Sequence, residues 1–584
     1  MPIDFSNCNT LWASVLVETL VRLGLKMAVI SPGSRSAPLA MAFAQHPQLQ
    51  TLPILDERSA GFFALGHGRR RGLPGVLVCT SGTAGANFYP ALIEARESRV
   101  PLLILTADRP PELRHCHAGQ AIDQLKLFAD YPVWQAELAV PNPDHLTYLR
   151  QTLIHAWQKC QWPVPGPVHL NCPFRDPLVP TPEAQIQALQ HQWSDQDFFQ
   201  QVDPPRFPHL QLSADQLPWQ TWRACDRGLI IAGPAQPRDP ALYCAAIAAL
   251  AQQLQWPVLA EGLSPLRNHA PINPCLISTY AIALRNPDLR ASLQPEQVIR
   301  IGELPTCKEL RQWLAPLEIP QWVIDPSDQN LDATHGSTVH LRIEISALPQ
   351  PSPDLPRSRA HQPEFLQRWL RLDQRISRSI AQTMHQENGL RESKIPWILA
   401  HHLPPQTPLF ISNSTPVREV EWVWPQTNSK IQPYFNRGAN GIDGILSTAL
   451  GLAYGDRPAV LLTGDLAFLH DINGLLQGPR WTGHLSIVLI NNQGGGIFGL
   501  LPIAQFNPPF EEFFATPQRV NFAALCQAYG AQYQFVTSWE ELVTLINPLP
   551  PTGIRVLELH CDRAQDARWR QDQFSRWMQP PSTP

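Results

Sequence analysis

Asp465 and Asn492 stand 27 residues apart, and after Gln493 the second is followed by Gly494, Gly495 and Gly496. A carboxylate and an amide oxygen are hard donors of the kind that hold Mg²⁺ together with phosphate oxygens. Glycines let the backbone approach a phosphate closely and turn carbonyls toward a cation. The set has the chemistry of a metal-bridged diphosphate site. Two plainer readings use the same residues. Gly464-Asp465-Leu466 after an apolar run is a common turn and helix cap. Gly494 to Gly499 also spells G-x-G-x-x-G, the pattern of dinucleotide-binding loops, although the paired asparagines precede it and no acidic residue follows at the expected distance.

Other chemically able residues fall on short polar stretches after apolar runs. They are Ser31-Pro32-Gly33-Ser34-Arg35-Ser36, Asp56-Glu57-Arg58-Ser59, Thr80-Ser81-Gly82-Thr83 and Thr106-Ala107-Asp108-Arg109, with Gly119-Gln120 beyond them. Further on come Ser412-Asn413-Ser414-Thr415-Pro416-Val417-Arg418 and Asn436-Arg437-Gly438-Ala439-Asn440-Gly441-Ile442-Asp443-Gly444. Taken singly, each is a turn or a helix cap, and Glu57 is a first-turn acid favoured by the helix dipole. Arg35, Arg109, Arg418 and Arg437 together suit a carboxylate substrate, because the guanidinium fork binds carboxylates bidentately.

The elements that must position these residues are legible from hydrophobic periodicity. Apolar runs of strand length occur at Met27–Ile30, Leu52–Leu55, Val76–Cys79 and Leu102–Leu105, each followed by a polar turn and a helical stretch. The same alternation recurs at 228–232, 257–260, 298–301 and 322–325, and again at 409–412, 459–462, 485–490 and 555–560. Strand, turn and helix in repetition predict parallel sheets with the polar turns gathered along one edge, where open α/β sheets bind ligands. The fold class expected is α/β, with three doubly wound parallel-sheet domains at 1-185, 216-346 and 362-565. Helices are expected at 239–254 and 441–454, with a crossover helix over 468–480. Residues 181–215 and 346–360 read as connecting segments, and the last 20 residues as a loosely ordered polar tail.

Composition excludes several classes. With 584 residues, 45 Lys+Arg against 49 Asp+Glu and a net charge of −4, the chain makes no electrostatic case for nucleic acid. Eleven scattered cysteines without a C-x-x-C pair argue against a disulfide framework or a zinc site. No apolar run reaches the length of a membrane span, and the N-terminal stretch reads as an amphipathic helix, not a signal peptide. A cytoplasmic or stromal location is the expectation. His401-His402 lies in an apolar helical stretch and is read as structural.

Gly-Asp followed at this distance by Asn-Asn resembles the cofactor motif of thiamine-diphosphate enzymes. The segments SPGSRS, DERSAGFFALG, TSGTA, TADRP, GQAIDQ, NRGANGIDG, GDLAFLHD and NNQGGGIF together resemble, more narrowly, the 2-succinyl-5-enolpyruvyl-6-hydroxy-3-cyclohexene-1-carboxylate synthase family of menaquinone and phylloquinone biosynthesis. The resemblance covers most of the first and third blocks and is sparse in the second. It implies three thiamine-enzyme domains: pyrimidine-binding, central and diphosphate-binding. It implies thiamine diphosphate with Mg²⁺ (or Mn²⁺) held by Asp465, Asn492 and the backbone of Gly494. Glu57 falls where the family keeps the acid that hydrogen-bonds the cofactor's aminopyrimidine. Ser31, Pro32, Gly33, Thr80, Gly82, Ile442, Gly464, Leu466, Gly495, Ile497 and Phe498 fall on cofactor contacts.

The same resemblance implies 2-oxoglutarate and isochorismate as substrates, with decarboxylation of the first and transfer of its succinyl unit to the second. It places Ser34, Arg35, Arg109, Gln120, Lys308, Ser414, Arg418, Arg437, Ile497, Phe498 and Leu501 against them. Gly119 and Glu309 depart from the family pattern, and Lys308 reads equally as an exposed helix lysine. A homodimer or homotetramer is implied, with each cofactor clamped between the first domain of one subunit and the third of another. The alternatives are another thiamine-dependent 2-oxo acid decarboxylase or acetohydroxyacid-type synthase, a non-catalytic subunit of the same fold, and a nicotinamide dehydrogenase built on Gly494–Gly499.

Overall fold

A computed structural model describes residues 3–208, 211–350, 363–455, 457–476 and 481–578 of the chain. It contains three six-stranded sheets in which every pairing of strands is parallel. The first is built from β1 (Met27–Ile30), β2 (Gln50–Pro53), β3 (Gly75–Cys79), β4 (Leu102–Asp108), β5 (Trp134–Glu137) and β6 (Pro167–Pro173), in the order β2-β1-β3-β4-β6-β5. The second holds β7 (Gly228–Ala232), β8 (Val258–Ala260), β9 (Leu276–Ile277), β10 (Gln297–Ile301), β11 (Pro320–Ile324) and β12 (Ser337–Leu341), in the order β12-β11-β10-β7-β8-β9. The third holds β13 (Pro408–Ile411), β14 (Gln432–Tyr434), β15 (Ala459–Gly464), β16 (His484–Asn491), β17 (Gln532–Phe535) and β18 (Gly553–His560), in the order β14-β13-β15-β16-β18-β17.

The first and third sheets therefore share one topology, while the second has the doubly wound order that reads 3-2-1-4-5-6 by position in the chain. Order reverses between β1 and β3 in the first sheet and between β13 and β15 in the third. These are the switch points where the loops at the carboxyl ends splay apart and leave room for a ligand. Central strands such as β1, β3, β4, β13 and β16 are buried along their whole length, as expected for strands covered on both faces.

The chain divides into two compact units. One comprises Met1–Pro208, Asn436–Asp456 and Leu469–Gly483; the other comprises His209–Phe435, Arg457–Phe468 and His484–Pro584. In the first unit the helix Glu57–Arg71 packs along the helix Ile445–Ala453 with small residues at the contact. A Cβ on Gly66 would come within 2.0 Å of the Thr448 carbonyl, and one on Gly451 within 2.0 Å of the Phe63 carbonyl, so only glycine admits this approach. In the second unit the helix Glu364–Gln386 buries Phe365, Trp369, Leu372, Ile376 and Ile380 on one face. That spacing is an amphipathic stripe.

Several expectations shift. The second strand is Gln50–Pro53, not Leu52–Leu55, because it pairs with β1 from Met27↔Gln50 to Ile30↔Pro53, leaving Leu55 exposed. The crossover expected over 468–480 is a short helix, Asp465–His470, and a 3₁₀ turn, Ile472–Leu475; 477–480 lie outside the described residues. Asp471 breaks the helix, its carboxylate accepting the Ser447 N–H at 2.6 Å and the Ser447 hydroxyl at 2.9 Å. The helix expected at 441–454 begins at Ile445, after Gly444 takes a left-handed φ of +65° against the Phe62 ring. Residues 181–215 contain short helices at Ala184–Leu189 and Asp195–Phe198. Most of the 346–360 segment and the expected boundary at 362 lie outside the described residues.

The tail is the largest correction. Its described part belongs to the helix Arg563–Trp577, which buries Asp566, Arg570, Gln573, Phe574 and Trp577, while 579–584 lie outside the described residues. Arg570 is held by the buried Glu392 and Glu419 carboxylates and Asp566 by Arg391, so composition alone mistook the segment for solvent-facing chain. Among the described residues, no helix is long and apolar enough to cross a membrane. All 11 cysteines are free thiols.

Candidate active site

In the first unit the polar loops after β1, β3 and β4 meet along one sheet edge. Gly33 lies against Thr80, and a Cβ there would fall 2.2 Å from the Thr80 Cβ. Ser31 is buried with its hydroxyl unpartnered among the described residues. Gly82 takes φ +85°, and its N–H donates to the Gln124 side chain at 2.8 Å. Gln120, exposed and itself at φ +58°, sits beside Gly82. Arg109 donates to the Ser81 hydroxyl at 2.7 Å. Arg35 is buried and donates to the Phe174 carbonyl at 3.0 Å. Burial, and then the neighbouring Arg109 cation, lower its pKa. Two guanidinium groups held close together favour an anion between them. Pro32 and Ser34 are exposed on the same loop.

Glu57 opens its helix, with Asp56 as the N-cap accepting the Ser59 N–H at 3.1 Å. Burial raises the Glu57 pKa, and the Asp56 carboxylate adds to the rise. Asp56 also accepts from the Asn473 amide at 2.8 Å. Asp471 is fully buried, and burial pushes its carboxyl up to about 7. A carboxyl whose folded pKa exceeds its unfolded value contributes stability that is complete below the unfolded value and lost as pH rises through the folded one. Asp471→Asn keeps an acceptor for the Ser447 N–H and removes the charge. Its Tm should therefore gain on wild type from about pH 4 to about pH 7, by the equivalent of ~2–4 kcal/mol, and hold that gain above. Parallel melting curves across that range check it; a pH-independent difference would mean that Asp471 does not titrate there.

The NRGANGIDG segment also belongs to this unit and is anchored by Glu94, which sequence reasoning missed. The buried Glu94 carboxylate accepts the Gly438 N–H at 3.0 Å and the Ala439 N–H at 2.7 Å. Arg69 donates to the Asn436 side chain at 3.0 Å. Arg437 and Ile442 are half-buried on the loop so held. Glu94 lies within a helix without any motif of its own, and only its distance in space to residue 438 gives it a role.

In the second unit Asp465 begins a helix directly after β15, and Asn492 follows β16, the adjacent strand. The Asp465 carboxylate is buried and accepts the Gly494 N–H at 2.8 Å and the Leu466 N–H at 2.9 Å. Burial pushes it up to about 6, against the lowering effect of those two bonds. Asn492 is buried; its NH₂ donates to Glu392 at 2.7 Å, while its oxygen has no partner among the described residues. Among the described residues no cation pairs with this buried carboxylate, and beside an orphaned amide oxygen it fits a divalent cation. Gly494 takes φ +128°, and a Cβ there would strike the Ala515 carbonyl at 2.2 Å. Gly464 has open space where a Cβ would stand. Gly496–Leu500 forms a 3₁₀ turn rather than the helix a dinucleotide-binding loop requires, which removes the support for the dehydrogenase alternative.

Around this pair, Ser414 follows β13 with φ +74°, a backbone conformation strained for a non-glycine residue. Its carbonyl accepts from Arg418 at 2.6 Å. Gly495 is buried, Ile497 and Phe498 are half-buried, and Leu501 is exposed. Lys308 stands exposed at the start of the helix Lys308–Leu314, and the neighbouring Glu309 pairs with Arg285 at 2.8 Å. His401 packs its ring on Trp397. Sequence reasoning also missed Glu392 and Arg570, both buried behind Asn492, for which no local pattern gives a signal.

Three family models match the chain in succession. The thiamine pyrophosphate enzyme N-terminal binding domain matches residues 12–127, the middle domain 184–411 and the C-terminal binding domain 424–549. The benzoylformate decarboxylase structure from Polynucleobacter necessarius aligns with a TM-score of 0.70 over 94% of this chain and 98% of that one; at 19% identity it shows a common fold. Sheets, switch-point loops and domain matches define a thiamine-diphosphate-dependent enzyme. Synthases of 2-succinyl-5-enolpyruvyl-6-hydroxy-3-cyclohexene-1-carboxylate from Microcystis aeruginosa and Trichormus variabilis are each 56% identical, over 97% and 99% of this chain and 99% of each relative. That from Acaryochloris marina is 55% identical over 98% of both chains. The chain belongs to the 2-succinyl-5-enolpyruvyl-6-hydroxy-3-cyclohexene-1-carboxylate synthase family.

Proposed function

We propose that this enzyme decarboxylates 2-oxoglutarate and adds the remaining succinyl unit to isochorismate, releasing 2-succinyl-5-enolpyruvyl-6-hydroxy-3-cyclohexene-1-carboxylate and CO₂. The full-length identity of more than half to synthases named for that product carries the reading. Bound thiamine diphosphate supplies the carbon centre at which the 2-oxo acid is activated. Asp465, Asn492 and the Gly494 carbonyl would hold Mg²⁺, or Mn²⁺, on its diphosphate. Gly464, Leu466 and Gly495 would line the diphosphate path. Ser31, Pro32, Gly33, Thr80, Gly82, Ile442, Ile497 and Phe498 would shape the rest of the cofactor site. Glu57 would share a proton with the cofactor's pyrimidine nitrogen, a task that its raised pKa suits.

Both substrates carry two carboxylates. Arg35 and Arg109, with Ser34 and Gln120 beside them, would bind carboxylate and hydroxyl groups from one sheet edge; Ser414, Arg418 and Arg437 would bind them from the other loops. Ile497, Phe498 and Leu501 would exclude water, and Lys308 is the one candidate from the central domain. Incubation with 2-oxoglutarate, isochorismate, Mg²⁺ and thiamine diphosphate should yield the succinylated adduct with an equivalent of CO₂. CO₂ without adduct would mark a simple decarboxylase instead.

Arg418→Ala and Arg437→Ala should each slow adduct formation more than decarboxylation. Losing a charge-assisted contact costs about 1.5–3 kcal/mol, roughly 10–150-fold. Equal loss in 2-oxoglutarate decarboxylation alone would reassign them to the donor. Glu57 and Asp465 lie in separate units, and clamping one cofactor between two subunits needs at least a dimer. Light scattering of the active enzyme should give a dimer or tetramer mass, and an active monomer would sink that part of the reading.

A further inference from the structure

Asn492 has its amide fixed from behind. Its Nδ2 donates to Glu392 Oε1 at 2.7 Å, and Glu392 is fully buried. The other oxygen of Glu392 accepts from Arg570 Nη2 at 3.1 Å. Arg570 is 1% exposed and also lies 2.6 Å from the Glu419 carboxylate. It comes from the C-terminal helix, which is tied to the same region by the ion pair of Arg391 with Asp566 at 3.3 Å. The Glu392 N–H points back to Asp566 at 3.4 Å.

An asparagine amide has nearly the same shape with either end forward, yet its two ends have opposite polarity. The oxygen can hold a cation; the NH₂ repels one. A carboxylate only accepts hydrogen bonds, so Glu392 can engage only the NH₂. A glutamine in its place could accept or donate and would not choose. Arg570 supplies the countercharge that a carboxylate at this depth needs.

We infer that Glu392, held by Arg570, is a positioning residue that turns the Asn492 amide so that its oxygen faces the metal site. This rests on the reading of Asp465, Asn492 and Gly494 as ligands of Mg²⁺. The C-terminal helix is thereby part of the cofactor site without touching the cofactor. Groups standing behind metal ligands typically account for 10–100-fold in metal affinity when they are changed.

The test is a Mg²⁺ titration of thiamine diphosphate binding to the full-length apoprotein, read by calorimetry, with Tm measured in parallel. Glu392→Gln should raise the Mg²⁺ midpoint by at least ~10-fold. Asn492→Asp should do so as well, because it sets carboxylate against carboxylate. The double variant Glu392→Gln/Asn492→Asp exchanges donor and acceptor across the same contact and should recover most of the lost affinity. Recovery is a signature that loss of packing alone would not give. A wild type whose cofactor uptake ignores Mg²⁺ and Mn²⁺ overturns the metal reading and this inference together. A Mg²⁺-dependent wild type, with a Glu392→Gln midpoint within about twofold of it, overturns the positioning role alone. Should Glu392→Gln by itself not fold, Asn492→Asp against the double variant decides: recovery of ~10-fold supports the inference, and equal midpoints overturn it.

Discussion

Glu57→Gln is expected to keep thiamine diphosphate bound and to lose turnover by ~10²–10⁴-fold, which is about 3–5.5 kcal/mol of barrier. Anchoring should survive because the candidate metal and diphosphate residues, Asp465, Asn492 and Gly494, belong to the other unit. Glutamine nearly matches the size of glutamate and can still hydrogen-bond, but it has no proton to share. The Glu57 carboxyl is prepared for sharing: burial raises its pKa and the Asp56 carboxylate raises it further. Asp56 is itself committed, capping the helix at Ser59 and accepting from Asn473, so it cannot readily take over. Slower exchange of the bound cofactor's C2 hydrogen for deuterium, followed by NMR, would locate the loss at the first proton transfer. Wild-type exchange and turnover together would leave Glu57 as a helix-start acid.

The candidate residues that could be read from the sequence are those whose placement depends on local geometry. Asp465 and Asn492 follow adjacent parallel strands, each an apolar run that ends in polar or glycine residues. Glu57 is legible as a candidate for the same reason, since it opens the helix that follows β2, just after the N-cap Asp56. The parallel sheets were legible because their central strands are buried on both faces and so appear as continuous apolar runs. What was hidden depends on long-range pairing. Glu94, Glu392 and Arg570 look like ordinary surface charges in sequence, and only partners far along the chain bury them. The C-terminal helix was misread for that reason: a segment rich in Arg, Gln and Asp looks solvated until Arg570 meets Glu392 and Glu419. The second strand slipped by two residues because its ends are set by pairing with β1, not by its own apolar content.

Asp465→Ala should abolish Mg²⁺-dependent cofactor binding, lowering apparent affinity by more than ~100-fold, beyond what a change behind a ligand produces. The carboxylate is the one anionic ligand in the proposed set, so its loss leaves the diphosphate charge poorly neutralised. Stability of the apoprotein should respond differently. Burial pushes Asp465 up to about 6, so its contribution to stability is complete below the unfolded value of 3.8 and lost as pH rises through about 6. At pH 7.5 an ionised Asp465 without a cation weakens the apoprotein. Removing it relieves that cost while leaving the Gly494 and Leu466 N–H groups short of an acceptor. Asp465→Asn retains an acceptor for one of them and separates the two effects: its apoprotein should melt no lower than wild type at pH 7.5, while its cofactor binding falls nearly as far as that of the alanine variant. Calorimetry with Mg²⁺ present measures both variants. Unchanged cofactor affinity would reduce Asp465 to a helix cap and move the search for the metal site elsewhere on the carboxyl edge of the third sheet.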